Sequence, residues 1–150
     1  MSPGIFHCLA LDAQGRVFSC GNNKSGELGR TGDAGVFAEI ENAPEEPIKS
    51  ISAGFAVSFI ITESGKVYAF GSSRLSTLKQ NTAIPTLVKK LNFAVKQVEQ
   101  GLNYAMVVAE DGRLFSWGDN TFQQTGTGSK SKQIAKPTEV SYFSNQGLRV

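Results

Sequence analysis

Nine glycines recur at fixed intervals, and this spacing constrains the fold more than any other feature of the sequence. Gly4, Gly15 and Gly21 are separated by 11 and then 6 residues, and two later triplets repeat both intervals. The later triplets are Gly54, Gly65, Gly71 and Gly101, Gly112, Gly118. Because the triplets begin 50 and then 47 residues apart, they indicate a repeat architecture with one supersecondary unit per period.

The second glycine of each triplet predicts the turn of a β-hairpin. Around it, an apolar run is followed by a glycine turn, a basic residue and a second apolar run. These segments are 11–18, 61–68 and 108–115. The turn dipeptides are Gln14-Gly15, Ser64-Gly65 and Asp111-Gly112. Since glycine adopts the positive φ that two-residue hairpin turns require, we predict such a turn in every repeat, most weakly in the first.

A two-residue turn fixes the register of each hairpin. The pairs that it predicts on the bulkier face are Leu9 with Cys20, Leu11 with Phe18, Phe59 with Phe70, Ile61 with Tyr68, Met106 with Trp117 and Val108 with Phe115. The smaller face carries Ala10 with Ser19, Ile60 with Ala69 and Val107 with Ser116. Because both faces are mostly apolar, we expect the sheets to be covered on both sides by face-to-face stacking.

Short apolar runs predict two further strands per repeat. Inner strands are expected at 48–53, 95–100 and 148–150, and outer strands at 36–40, 85–88 and 137–140. Four strands in a unit of about 50 residues make a β-propeller blade. We therefore predict an all-β fold without a helix: three four-stranded antiparallel blades of an incomplete β-propeller. They form one repeat domain with units at about 4–53, 54–100 and 101–150.

The residues around these glycines resemble the repeats of the regulator of chromosome condensation family. The range 21–29 reads Gly-Asn-Asn-Lys-Ser-Gly-Glu-Leu-Gly and is similar to the family's glycine loop, with Glu27 where glutamine is usual. The family's other motifs appear as His7, Ala53-Gly54, Ser58 and the aromatic strands 67–71 and 114–118. The second repeat lacks the loop glycines, and the third keeps only Gly126.

The resemblance implies a ring of about seven blades, so three blades leave two apolar faces uncovered. This exposure is costly, since burying one large apolar side chain contributes roughly 1.5–3 kcal/mol. The alignment of the repeats places Val150 at the position of Ile51 and Val98. We therefore expect a segment of a longer propeller, a truncated gene product, or a protomer that completes a ring with another copy.

The sequence gives little support to catalysis or to a bound cofactor. His7 is the single histidine and has no Cys-x-x-Cys pair or compact carboxylate cluster near it in the sequence, so we interpret it as a partly buried ring bonded to the backbone. The two-residue register places Cys8 and Cys20 on opposite faces, and we expect both to be reduced. We predict no catalytic residue, no metal, no cofactor and no enzyme activity.

The loops after the third glycine of each triplet are the best candidates for partner binding, because loops on a rigid scaffold commonly carry function. A second candidate is the basic middle unit, although solvated loop lysines are its simpler interpretation. The candidate residues are Asn22, Asn23, Lys24, Glu27, Arg74, Lys89, Lys90, Asp119, Asn120 and Phe122. Phe122 is interpreted equally as a partner anchor or as a side chain tucked under its loop.

These features favour a non-catalytic protein–protein interaction module. The resemblance implies two alternatives, a guanine-nucleotide exchange factor for a small GTPase and a chromatin-associated regulator. The formal net charge of +2 argues against direct contact with nucleic acid. No apolar run reaches the roughly 18 residues of a membrane-spanning helix, and no secretion signal is evident. We expect a cytoplasmic or nuclear location and a protein partner.

Overall fold

The computed structural model describes residues 1–150, apart from the side chain of Ser76, and contains three four-stranded antiparallel sheets. The first sheet consists of β1 (Ser2–Pro3), β2 (His7–Leu11), β3 (Val17–Gly21) and β4 (Ala38–Glu39). The second consists of β5 (Ile48–Ala53), β6 (Val57–Thr62), β7 (Val67–Gly71) and β8 (Thr82–Leu87). The third consists of β9 (Val95–Gln100), β10 (Tyr104–Ala109), β11 (Leu114–Asp119) and β12 (Gln133–Glu139). The three predicted blades are confirmed.

Each blade begins with the strand that precedes the first glycine of a triplet. β5 pairs with β6, and β9 pairs with β10. A unit counted from the first glycine therefore omits the first strand of its own sheet and includes the first strand of the next one. The first strands of neighbouring blades lie side by side. The N–H of Ala53 donates to Ser2 Oγ at 2.9 Å, and Gln100 Nε2 donates to the Ser52 carbonyl at 3.3 Å. These first strands are therefore the innermost ones.

The hairpin loops contain three residues rather than the predicted two. In the second blade the N–H of Thr62 donates to the Lys66 carbonyl at 3.0 Å, and the N–H of Gly65 donates to the Thr62 carbonyl at 2.9 Å. Gly65 has a φ of +78°. This is a tight turn followed by a glycine bulge. The dipeptides locate the turns correctly, but the glycine occupies the bulge position and lengthens each loop by one residue.

The extra loop residue shifts the hairpin register by one. Phe59 lies opposite Ala69, and Phe70 lies opposite Ser58, whereas the sequence predicted a Phe59–Phe70 pair. The other two hairpins show the same shift, so the predicted face assignments were wrong in all three. Because alternate residues share a face, each sheet mixes large and small side chains on both sides.

Apolar side chains fill both spaces between the sheets, as predicted for stacked blades. Between the first and second sheets, Leu9 belongs to one buried cluster with Ile60 and Phe70. Between the second and third sheets, Phe59 and Trp117 belong to a larger cluster. The second sheet is therefore buried on both faces.

The corrected register also changes the position of the two cysteines. Cys8 lies directly opposite Cys20 on adjacent strands, so both side chains are on one face of the first sheet. The prediction that they lie on opposite faces was wrong because it assumed the shorter hairpin loop. Both are free thiols and half-buried.

Two short helices contradict the prediction of a chain without helix. α1 (Ser73–Ser76) follows β7, and α2 (Ser141–Asn145) follows β12. Each forms a single short connection, too brief to show a helical period in the sequence. Within the described chain, neither helix is long and apolar enough to cross a membrane.

The chain's last residue continues the blade pattern. The N–H of Val150 donates to the Gly112 carbonyl at 3.1 Å, as the N–H of Val95 donates to the Gly65 carbonyl at 2.9 Å. Val95 begins the innermost strand of the third blade. Val150 therefore occupies the position that begins an inner strand, and the predicted alignment with Val98 was wrong by three residues.

Candidate interaction surface

The three blades have two different ends. The loop end carries the turns after the first glycine and the loops after the third glycine of each triplet, because both connections leave the sheets on one side. The hairpin end carries the three-residue hairpin loops. Eight candidate residues lie at the loop end: Asn22, Asn23, Lys24, Glu27, Arg74, Asp119, Asn120 and Phe122. Lys89 and Lys90 follow β8 and lie at the hairpin end, where Lys89 lines a concavity with Lys66.

The first loop is held by a buried carboxylate. Glu27 is fully buried, and its Oε1 accepts a hydrogen bond from Asn22 Nδ2. Its Oε2 accepts from the backbone N–H of Ser25 at 2.7 Å. These bonds fix the loop from inside, so the Glu27 side chain is not exposed to a partner. Of the candidates in this loop, Lys24 is the exposed one.

The third loop has the same architecture with the donor and acceptor exchanged. Gln124 Nε2 donates to Asp119 Oδ2 at 2.8 Å, and Gln124 Oε1 accepts from the backbone N–H of Phe122 at 2.9 Å. Hydrogen bonds from Thr121 and Gln124 lower the pKa of the Asp119 carboxyl below its usual value. The pair Asp119–Gln124 therefore holds the loop of the third blade from inside, as the pair Asn22–Glu27 holds the loop of the first.

An asparagine clamps the same two loops. In the first loop Asn23 Nδ2 donates to the Arg30 carbonyl at 2.9 Å, and Asn23 Oδ1 accepts from the N–H of Leu28 at 3.0 Å. In the third, Asn120 Nδ2 donates to two loop carbonyls, and Asn120 Oδ1 accepts from the N–H of Thr125 at 3.2 Å. The side-chain amides of both asparagines therefore bond to the backbone of their own loops.

The second loop is rebuilt as α1, in line with its missing glycines. The hydroxyl of Ser72 caps the helix by accepting from the N–H of Arg74 at 3.3 Å. Leu75 is buried, and its carbonyl accepts from Trp117 Nε1 of the third blade at 2.8 Å. Arg74 is exposed beside it. The helix thus places Leu75 in the core and Arg74 on the surface.

His7 belongs to a buried bridge between the first two blades. His7 Nε2 and Ser58 Oγ are 2.8 Å apart, and Ser58 Oγ donates to the Glu27 carbonyl at 2.8 Å. Because the hydroxyl proton points to that carbonyl, the imidazole donates from Nε2. Burial lowers the pKa of His7, and the Glu27 charge opposes this shift. A Ser–His nucleophile needs the opposite proton direction, and the partner of His7 is a hydroxyl rather than the predicted backbone.

A row of exposed apolar side chains at the loop end was missed by the sequence reasoning. The residue after the first glycine is Ile5, Phe55 and Leu102 in the three repeats, and Phe6 stands next to Ile5. All four are exposed, and the rings of Phe6 and Phe55 meet edge to face at 5.7 Å. The available signal was a large apolar residue at one repeat position in all three units.

Phe122 also lies at the loop end, in the loop after β11. Its side chain is 85% exposed, so it is not tucked under its loop. Across the part of the chain whose side chains are described, no group of three or more His, Cys, Asp or Glu residues is placed to hold a metal ion. The exposed residues of the loop end include these apolar side chains and the cations Lys24 and Arg74.

Stacked four-stranded sheets with glycine loops define this chain as a segment of a β-propeller built from repeats. Two family models described as the regulator of chromosome condensation (RCC1) repeat match it, one at 4–27, 48–75 and 95–124 and the other at 111–150. These matches cover more than half of the chain. The chain therefore belongs to the RCC1 repeat family, which confirms the resemblance found in the sequence.

Two similar proteins are much longer than this chain. Protein RCC1 of Candida albicans is 28% identical over 93% of this chain, and the match covers 36% of that protein. The probable E3 ubiquitin-protein ligase HERC6 of Homo sapiens is 31% identical over 93% of this chain and 14% of its own length. The chain thus spans about a third or less of these relatives.

Solved structures support the propeller fold. Human WBSCR16 superimposes with a TM-score of 0.78 at 26% identity, covering 95% of this chain and 38% of its own. Prp20p of Saccharomyces cerevisiae superimposes with a TM-score of 0.82 at 23% identity, covering 96% and 38%. The predicted incomplete propeller is confirmed.

Proposed function

We propose that this chain is a non-catalytic protein–protein interaction module that binds through its loop end. The observation that carries this proposal is the row of exposed apolar side chains at that end. The row consists of Ile5, Phe6, Phe55 and Leu102, which are between 36% and 58% exposed. Isolated exposed apolar residues are ordinary, but neighbouring ones on rigid loops are typical of interaction sites.

The polar groups near this surface support binding rather than catalysis. Asn23, Glu27 and Asn120 are used in holding their own loops. The hydroxyl of Ser58 donates away from His7, so that pair does not form a nucleophile and base. The exposed side chains available to a partner include the apolar row and the cations Lys24 and Arg74.

The test uses two variants that change charge and apolarity equally at opposite ends. Arg74→Glu with Leu102→Ser alters the loop end, and Lys89→Glu with Leu87→Ser alters the hairpin end. Tagged chains are expressed in cells, and captured proteins are quantified by mass spectrometry. We expect a set of proteins that the loop-end variant loses and the hairpin-end variant retains. Identical sets from both variants and the native chain contradict the proposal.

A second candidate function is nucleotide exchange on a small GTPase, as the family resemblance implies. It is favoured by the likeness to Prp20p, whose structure was reported with its binding to Gsp1p and histones. The measurement is the release of a labelled nucleotide from a panel of small GTPases. Acceleration by this chain supports exchange, whereas unchanged release supports the interaction module.

A chromatin-associated role is the remaining alternative, and it gives weight to Lys89 and Lys90 at the hairpin end. Binding to nucleosomes through lysines weakens steeply as salt rises, because neutralising phosphates releases counterions. Replacing both lysines by glutamate should then reduce nucleosome affinity. An unchanged affinity contradicts a role for this pair. A nuclear location follows from this alternative, and a cytoplasmic one is equally compatible with the interaction module.

We also propose that further blades, from the same polypeptide or from another copy, cover the outer faces of the first and third blades. Those faces expose part of Phe18 and of Val108. Light scattering at micromolar concentration should show an assembly, or an apolar dye should bind the isolated chain. A folded monomer that binds no dye contradicts the proposal.

A further inference from the structure

The exposed apolar row contains one concavity at the loop end, between the second and third blades. Phe55 and Leu102 stand on its two sides, and Val57 and Leu75, both buried, contribute to its lining. Its volume is about 180 Å³. Small-molecule sites usually enclose roughly 300–1,000 Å³, so this concavity suits a single anchoring side chain from a larger partner.

A cation stands at the rim of this concavity. Arg74 lines it and also lines the adjoining polar concavity, which contains Asp119. Asp119 already accepts hydrogen bonds from Thr121 and Gln124. Among the side chains that the structure describes, none forms an ion pair with Arg74. Its guanidinium therefore has donors available for a carboxylate brought by a partner.

We propose that this concavity docks an acidic-apolar peptide segment of a partner protein. One large aliphatic or aromatic side chain of the segment enters between Phe55 and Leu102, and a neighbouring carboxylate pairs with Arg74. The proposal rests on the interaction function of the loop end and identifies the second and third blades as its centre. Arg74 lies in α1 and lines the concavity, whereas the corresponding repeat positions are Lys24 in the first loop and Thr121 in the third.

The charge and apolarity of the residues around the concavity determine which peptide it should bind. An apolar anchor alone fits many partners, but the exposed guanidinium favours a carboxylate next to the anchor and disfavours a basic neighbour. Lys24 adds a second positive charge at the same end of the blades. A segment with glutamates on both sides of one leucine therefore has the required chemistry.

The test is fluorescence anisotropy with labelled 12-residue peptides and the full chain. The first peptide has a central leucine flanked by glutamates, the second replaces the glutamates with lysines, and the third replaces the leucine with serine. We expect micromolar binding of the first peptide and at least about tenfold weaker binding of the other two, since a lost charge pair or anchor costs about this factor.

Variants of the chain locate the binding. Arg74→Glu and Leu102→Ser should each weaken the first peptide at least about fivefold, whereas Lys89→Glu, with the same charge change at the hairpin end, should not. Both altered residues are exposed, and circular dichroism confirms the fold. Equal binding of the lysine peptide, no binding of any peptide, or an unchanged affinity in Arg74→Glu overturns this proposal. None of these results contradicts the wider loop-end function, which the capture experiment tests separately.

Discussion

The two spaces between neighbouring blades are closed by different means, although the same repeat builds both. Between the first and second blades, the apolar cluster around Leu9 and Phe70 is joined by a polar bridge from His7 through Ser58. Between the second and third blades, the larger apolar cluster includes Trp117 and the inserted Leu75. The repeat period determines how the blades are spaced, but it does not determine whether the side chains between two blades are polar or apolar.

The loop after the third glycine accounts for this difference. In the first blade, an intact glycine loop presents the Glu27 carbonyl to the hydroxyl of Ser58 in the next blade. In the second blade, the glycines are absent, and α1 presents the carbonyl of Leu75 to Trp117 of the next blade. Each loop thus supplies a backbone acceptor across an interface, and the residue types around it decide whether the contact is polar or apolar.

The largest expected effect comes from emptying the apolar interface. Trp117→Ala removes a fully buried ring and leaves the Leu75 carbonyl without its donor, so it should lower the free energy of unfolding by about 3–5 kcal/mol. Urea denaturation followed by circular dichroism measures the loss. Phe18→Ala, on the outer face of the first blade, is the matched aromatic control and should cost clearly less. Equal losses would contradict the assignment of the two faces.

The polar bridge should be sensitive to a substitution that removes only one atom. Ser58→Ala removes one oxygen but deprives both His7 Nε2 and the Glu27 carbonyl of a buried partner, which should cost about 2–3 kcal/mol. Ser116→Ala in the third blade is the control, since the hydroxyl of Ser116 bonds to one carbonyl within its own blade at 3.1 Å. If the two substitutions cost the same, the bridge adds nothing to blade association.

The exchanged hydrogen-bond pairs of the first and third loops allow a rescue experiment. Glu27→Gln alone leaves the amide of Asn22 or the N–H of Ser25 facing another donor, and it should cost about 1–2 kcal/mol. Adding Asn22→Asp recreates the Asp119–Gln124 arrangement and should recover most of that loss.

A double-mutant cycle in urea measures this recovery. Its control is Asn22→Asp alone, which places two carboxylates together and should destabilise the chain. Additive losses in the double variant would show that the two loops are not equivalent.

The smallest expected effect is a pH dependence confined to the first interface. Burial lowers the pKa of His7 in the folded chain, so the unfolded chain binds more protons near and below pH 6.5. Stability should therefore be complete above that pH and fall as the pH decreases, by at most about 1.4 kcal/mol per pH unit. The difference between the native chain and His7→Gln between pH 5 and 7 isolates this contribution from the carboxylates. A flat difference contradicts it.

The sequence alone was enough for the architecture because blades depend on period and pattern. Glycines at fixed intervals mark turns that other residues rarely adopt, and apolar runs between them predict strands that are covered on both faces. The position of every hairpin and the existence of all three blades followed from these features. The exposed apolar position after the first glycine was also visible in the sequence, although its exposure was not.

The tertiary structure decided what depends on one residue of register or on contacts between distant segments. Loop length separated a bulge from a two-residue turn, and this placed Cys8 opposite Cys20. Burial of Glu27 and exposure of Phe122 came from how their loops pack. The local pattern of apolar and polar residues predicts where the strands lie. The burial of a side chain depends instead on the side chains of the adjacent blade, roughly fifty residues away in the sequence. The repeat period predicts that the two blades are adjacent but not which of their side chains are in contact.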